Sequence, residues 1–116
     1  MSARRASSLS PPEMFLLNGW CAQVYEAFGE PPYLVGSVAR DEDWRDVDLR
    51  LMLDVDRFDA LTGGDNQRLT ALNVALSIWA RQATGLPVDF QFQDVDAANE
   101  AHDGPRIPLG LSRVIS

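Results

Sequence analysis

The chain has 116 residues, 46% of them hydrophobic and 23% charged, which suits one globular domain and excludes a disordered or fibrous protein. Seventeen acids against ten basic residues give a formal charge of −7, opposing nonspecific binding to nucleic acid or anionic lipid; the ten are all Arg, and without Lys there is neither Schiff-base chemistry nor a phosphate-loop lysine. A single cysteine, Cys21, excludes an internal disulfide, and no apolar run approaches the roughly 20 residues of a membrane span, so a reducing cytosol is the expected compartment.

Residues 1–9 are small, polar and without apolar period, and they read as a disordered tail ahead of a single domain over 10–116. Ser10-Pro11-Pro12-Glu13 carries a capping-box pattern that predicts a helix start. Phe15, Trp20, Val24 and Phe28 then form the expected packing face, with Cys21 as a small buried hydrophobe, until Gly29 and Pro31-Pro32 stop the helix. Tyr33-Leu34-Val35 is a short strand running straight into Gly36-Ser37, and Val38-Ala39-Arg40 reads as a helical turn. Asp41-Glu42-Asp43 is a polar loop lacking the Gly and terminal Glu of a calcium loop, with Trp44 expected to pack at its edge.

From Asp46 the chain alternates, with Val47, Leu49, Leu51 and Leu53 on one face of a strand and Asp46, Asp48, Arg50 and Met52 on the other. A short turn or helix from Asp56 to Leu61 ends at Gly63-Gly64, which is punctuation and not a phosphate-binding fingerprint. Asp65 or Asn66 caps the longest helix, whose stripe of Leu69, Leu72, Leu76, Trp79 and Ala83 is expected to be core, closed by Gly85. Pro87 to Gln93 alternates again, Val88, Phe90 and Phe92 against Asp89, Gln91 and Gln93. A short helical piece around Ala97 to Ala101 follows, and Gly104, Pro105, Pro108 and Gly110 prevent any long element after it. The apolar residues Ile107, Leu109, Leu111, Val114 and Ile115 of this last segment would fold back on the core or dock a partner. His102, the one histidine, lies in this loop-like region and supports neither a catalytic dyad nor a zinc site.

Asp46 and Asp48, two residues apart on a strand, put two carboxylates on one face about 7 Å apart along the chain. Two such anions raise a pKa or attract a hard divalent cation, and Asp89 joins them if its strand is a neighbour. A sheet with one polar face toward water is the alternative.

Val35-Gly36-Ser37, eight residues, and Asp46-Val47-Asp48-Leu49 together resemble the nucleotidyltransferase signature: an apolar residue, Gly, then Gly or Ser, a spacer, an acid-apolar-acid strand, and a third acid on a later strand. The resemblance covers residues 33–93 and is nearest to the minimal single-domain members in which Gly-Ser is followed by Ala-Arg, here Ala39-Arg40; Asp41 stands where such members carry a Gly.

That resemblance implies an α/β (α+β) fold, a small mixed sheet flanked by helices. It also implies metal-dependent transfer of a nucleoside monophosphate from an NTP to a hydroxyl acceptor on a small molecule or protein. By similarity, Asp46, Asp48 and Asp89 would be the catalytic carboxylates and would hold two Mg²⁺ ions, while Gly36, Ser37 and Arg40 would contact the triphosphate. Arg50 would reach the nucleotide or offset the charge of Asp48. Neutralising Asp46 and Asp48 is expected to abolish activity and leave stability unchanged or improved, since repulsion is relieved. Minimal members often work with a helical partner protein, so such a partner or a homodimer is expected. The alternatives are a non-catalytic member binding nucleotide or partner, and a structural or assembly component.

Overall fold

The computed structural model describes residues 9–39, 45–101 and 104–111. The sequence readings of Arg40, the Asp41-Glu42-Asp43 loop, Trp44, His102, Val114 and Ile115 fall outside these residues.

Helix α1, Pro11–Phe28, begins as its sequence dictates: the Ser10 hydroxyl accepts from the Glu13 amide and the Glu13 carboxylate accepts from the Ser10 amide. Leu9, read from sequence as the last residue of the tail, is buried with the core. The helix ends at Gly29, whose φ of 78° is the left-handed cap. Its buried face is Leu17, Trp20, Cys21 and Val24, and Phe15 is 79% exposed, contrary to expectation. Five residues of helix advance by about 140° beyond a full turn, so Phe15 and Trp20 never shared a face. Cys21 is enclosed, and burial pushes its thiol up to about 12.

The remaining elements are β1 (Tyr33–Val35), α2 (Gly36–Ala39), β2 (Val47–Leu53), α3 (Val55–Thr62), α4 (Asn66–Thr84), β3 (Val88–Asp94), α5 (Val95–Ala101) and β4 (Ile107–Pro108). They make a mixed α+β fold around one four-stranded sheet of order β3-β2-β1-β4. β2 runs antiparallel to β1 and parallel to β3, the parallel step being the crossover through α3 and α4. β4, a two-residue strand that the Gly and Pro spacing concealed, pairs antiparallel with β1.

The alternation read in β2 and β3 holds. Val47, Leu49, Leu51, Leu53, Val88, Phe90 and Phe92 are buried on one side with α1 and α4 packed over them. Trp20 of α1 meets Phe90 edge-on at 5.7 Å and Trp79 of α4 at 5.3 Å. The α4 stripe holds at Leu69, Leu72 and Leu76, which pack on the core, and is rotated toward its C-terminal end, where Ser77, Ala80 and Thr84 are buried, Trp79 is 41% exposed and Ala83 is exposed.

The rotation has a cause in β3, an edge strand whose outer amides and carbonyls need partners. Asn73, Ser77 and Arg81 supply them: the Phe92 amide donates to Asn73 Oδ1, the Phe90 amide to Ser77 Oγ, and Arg81 Nε donates to the Val88 carbonyl, at 2.9 Å each. Four residues of helix rise about 6 Å and two of strand about 6.6 Å, so the two ladders keep step.

The last segment folds back on its own core over its described part. Leu109 is buried and donates its amide to the Pro32 carbonyl, and Gly110 lies so close to α1 that a Cβ there would stand 2.6 Å from the Ala22 amide nitrogen.

Candidate functional site

The polar face of the sheet carries Asp48, Arg50 and Met52 from β2 and Asp89, Gln91 and Gln93 from β3. The parallel register sets Asp48 directly opposite Asp89 and Arg50 opposite Gln91. Two acids separated by 41 positions in sequence therefore sit side by side because β2 and β3 are neighbours. Asp46 lies exposed just before β2 begins.

The Gly36 turn is fitted to this pair. β1 pairs with β2 so that Val35 opposes Asp48, and the next residue, Gly36, turns the chain into α2 with φ 75°. A Cβ on Gly36 would stand 2.3 Å from Asp48 Oδ2, inside any allowed contact. Only glycine permits both the left-handed backbone and the approach of this carboxylate to the turn. Ser37 follows, half-buried, in the first turn of α2.

Arg50 is the feature that most shapes the electrostatics. It is 8% exposed, and its Nη1 donates to the Leu49 carbonyl at 2.9 Å and the Asp89 carbonyl at 2.8 Å. Its Nη2 lies 3.3 Å from Asp89 Oδ2 and 4.0 Å from Asp48 Oδ1, so the guanidinium stands at both carboxylates. Sequence reading had it reach the nucleotide or offset Asp48, and the shorter contact is to Asp89, across the strand pair. Its Nε is buried without a hydrogen-bond partner.

Asp48 and Asp89 offer the oxygen donors that a hard divalent cation prefers. Among the described residues no three His, Cys, Asp or Glu side chains gather closely enough to hold a metal ion, so Asp46 stands apart from the pair. The donor chemistry of the two carboxylates fits such a cation, and among the described residues the guanidinium of Arg50 stands at the pair.

A cleft of about 440 Å³ opens between α4 and β3, lined by Thr70, Asn73, Val74, Ile78, Arg81 and Asp89 among others. Asp89 belongs both to this cleft and to the acid pair. The sequence reading treated the α4 positions as core or surface and missed them as a wall; the available signal was hydrogen-bonding side chains recurring at 73, 77 and 81.

No known protein family matches the chain, and neither the curated proteins nor the solved structures compared with it yield a match. No described helix is long and apolar enough to cross a membrane.

Proposed function

We propose that this chain is a metal-dependent nucleotidyltransferase that moves a nucleoside monophosphate from an NTP to a hydroxyl acceptor and releases pyrophosphate. One observation carries the reading: the Gly36 turn, Asp48 and Asp89, read from sequence as separate parts of one signature, meet at one place, with Gly36 shaped around the Asp48 carboxylate. The left-handed φ of 75° calls for glycine by itself, and the further observation is the room that the turn leaves for the Asp48 carboxylate.

In this reading Asp48 and Asp89 would hold the cation, which when bound neutralises the triphosphate and offsets charge on the attacking and leaving oxygens. The backbone of Gly36 and the Ser37 hydroxyl would contact the departing pyrophosphate, because a residue without Cβ admits phosphate close to the main chain. Asp89 would receive the proton of the acceptor hydroxyl as that oxygen bonds to the α-phosphorus and the bond to the β-phosphate oxygen breaks. The cleft beside Asp89 lies in the volume range of small-molecule sites and gives the acceptor a place next to that carboxylate.

Arg50 favours a second reading, a non-catalytic protein of the same design in which a guanidinium has taken the metal's place between the acids. Calorimetric titration of each NTP, in Mg²⁺ and again in chelator, beside the Asp46→Asn, Asp48→Asn double variant, separates the two. Binding that needs both Mg²⁺ and the acids supports the transferase. Binding indifferent to Mg²⁺ supports the second reading, and no binding by any NTP removes both in favour of an assembly or partner role.

A further inference from the structure

Arg50 is more than nine-tenths buried, yet one of its three nitrogens has no partner and another is shared between two carboxylates. Nη1 is fixed by two backbone carbonyls, an arrangement that ties β2 to β3. Nη2, at 3.3 Å from Asp89 Oδ2 and 4.0 Å from Asp48 Oδ1, makes the weaker contacts, and these involve the two oxygens that a divalent cation would use. A guanidinium and a divalent cation at about 4 Å repel each other strongly in a partly buried site. They cannot both occupy the gap between Asp48 and Asp89.

We propose that Arg50 is the resident cation of the Asp48–Asp89 pair and that a divalent metal enters only by displacing its guanidinium. This inference rests on the cation-binding part of the proposed function and adds a positioning residue to it. Before metal arrives, Arg50 compensates the two in-register carboxylates. Once displaced, Nη2 becomes a donor that can meet an anionic oxygen of the incoming ligand. Metal occupancy thereby sets when the guanidinium becomes available.

The test is a Mn²⁺ titration without nucleotide, following free Mn²⁺ by electron paramagnetic resonance, on the wild-type chain, Arg50→Met and Arg50→Lys. Removal of the competing charge should tighten Mn²⁺ binding by about tenfold or more in Arg50→Met, with Arg50→Lys between the two. Equal or weaker binding in Arg50→Met, or no Mn²⁺ binding by any of the three, overturns the proposal.

If Arg50→Met does not fold, the wild-type chain answers alone. With ¹⁵N-labelled arginine, the Arg50 Nε–H signal should move in step with Mg²⁺ occupancy, and a signal unmoved at saturation overturns the displacement. The same samples titrated with NTP distinguish the two ideas. Tighter Mn²⁺ binding in Arg50→Met without any NTP binding leaves the displacement standing and removes the transferase; Mg²⁺-dependent NTP binding with equal Mn²⁺ affinities does the reverse.

Discussion

The two faces of the sheet are made from the same residues of β2 and β3, taken alternately, and they are held in opposite ways. On the apolar face Phe90 has no exposed surface and meets the rings of Trp20 and Phe92 edge-on at 5.7 and 5.0 Å, beneath two long helices. On the polar face one guanidinium and one glycine turn fix two carboxylates. The first arrangement gains its stability from area and distributes it over many contacts. The second depends on a few atoms with definite partners, so the faces should respond differently to substitution.

The largest effect belongs to the apolar face. Phe90→Ala removes a ring at the centre of an aromatic cluster and should cost about 3–5 kcal/mol, enough to unfold a marginal domain. Urea denaturation measures it. A loss below about 1 kcal/mol would mean that α1 and α4 close over the gap, and that this face is less tightly specified than its burial implies.

A smaller and more local cost is expected where the polar face meets the turn. Gly36→Ala places a Cβ 2.3 Å from Asp48 Oδ2 on a backbone with φ 75°, so it combines steric conflict with left-handed strain, together about 1–3 kcal/mol. Asp48→Ala in the same chain clears the conflicting oxygen and leaves only the strain. The double-variant cycle should therefore show a coupling of about 1 kcal/mol. Strict additivity would show that the Asp48 carboxylate swings away freely and that the turn is not fitted to it.

Most of the architecture was legible because the signals were local. The Ser10 cap, the helix stops at Gly29, Gly63 and Gly85, and the alternation of β2 and β3 all act within a few residues and stand as read, and of the two caps offered for α4 it is Asp65 that serves. What failed depended on contacts distant in sequence. The rotation of α4 answers the hydrogen-bonding needs of the β3 edge, and β4 exists because Leu109 and Gly110 find places against Pro32 and α1. For the candidate site, Gly36, Asp48 and Asp89 were readable one by one, and their convergence required the register of β2 on β3. The pairing of Arg50 with Asp89 was not readable, since only that register brings the two residues within reach.

That pairing gives Asp89 the opposite sign to the one expected on neutralising Asp46 and Asp48. If the acids only repelled each other, neutralising any of them would leave stability unchanged or raise it. Arg50 alters this for Asp89, whose Oδ2 lies 3.3 Å from Nη2; Asp89→Asn leaves a buried guanidinium with a weaker acceptor. The Asp89 side chain is 39% exposed, so water and salt screen part of the attraction and the cost should be about 1 kcal/mol, smaller still in 1 M salt. Asp46→Asn, at an exposed position ahead of β2, should change stability by no more than about 0.5 kcal/mol in either direction. Thermal unfolding of the two variants at low and high salt makes the comparison. A stabilised Asp89→Asn would mean that repulsion between the carboxylates exceeds what Arg50 returns, and the polar face would then be strained until a further cation joins it.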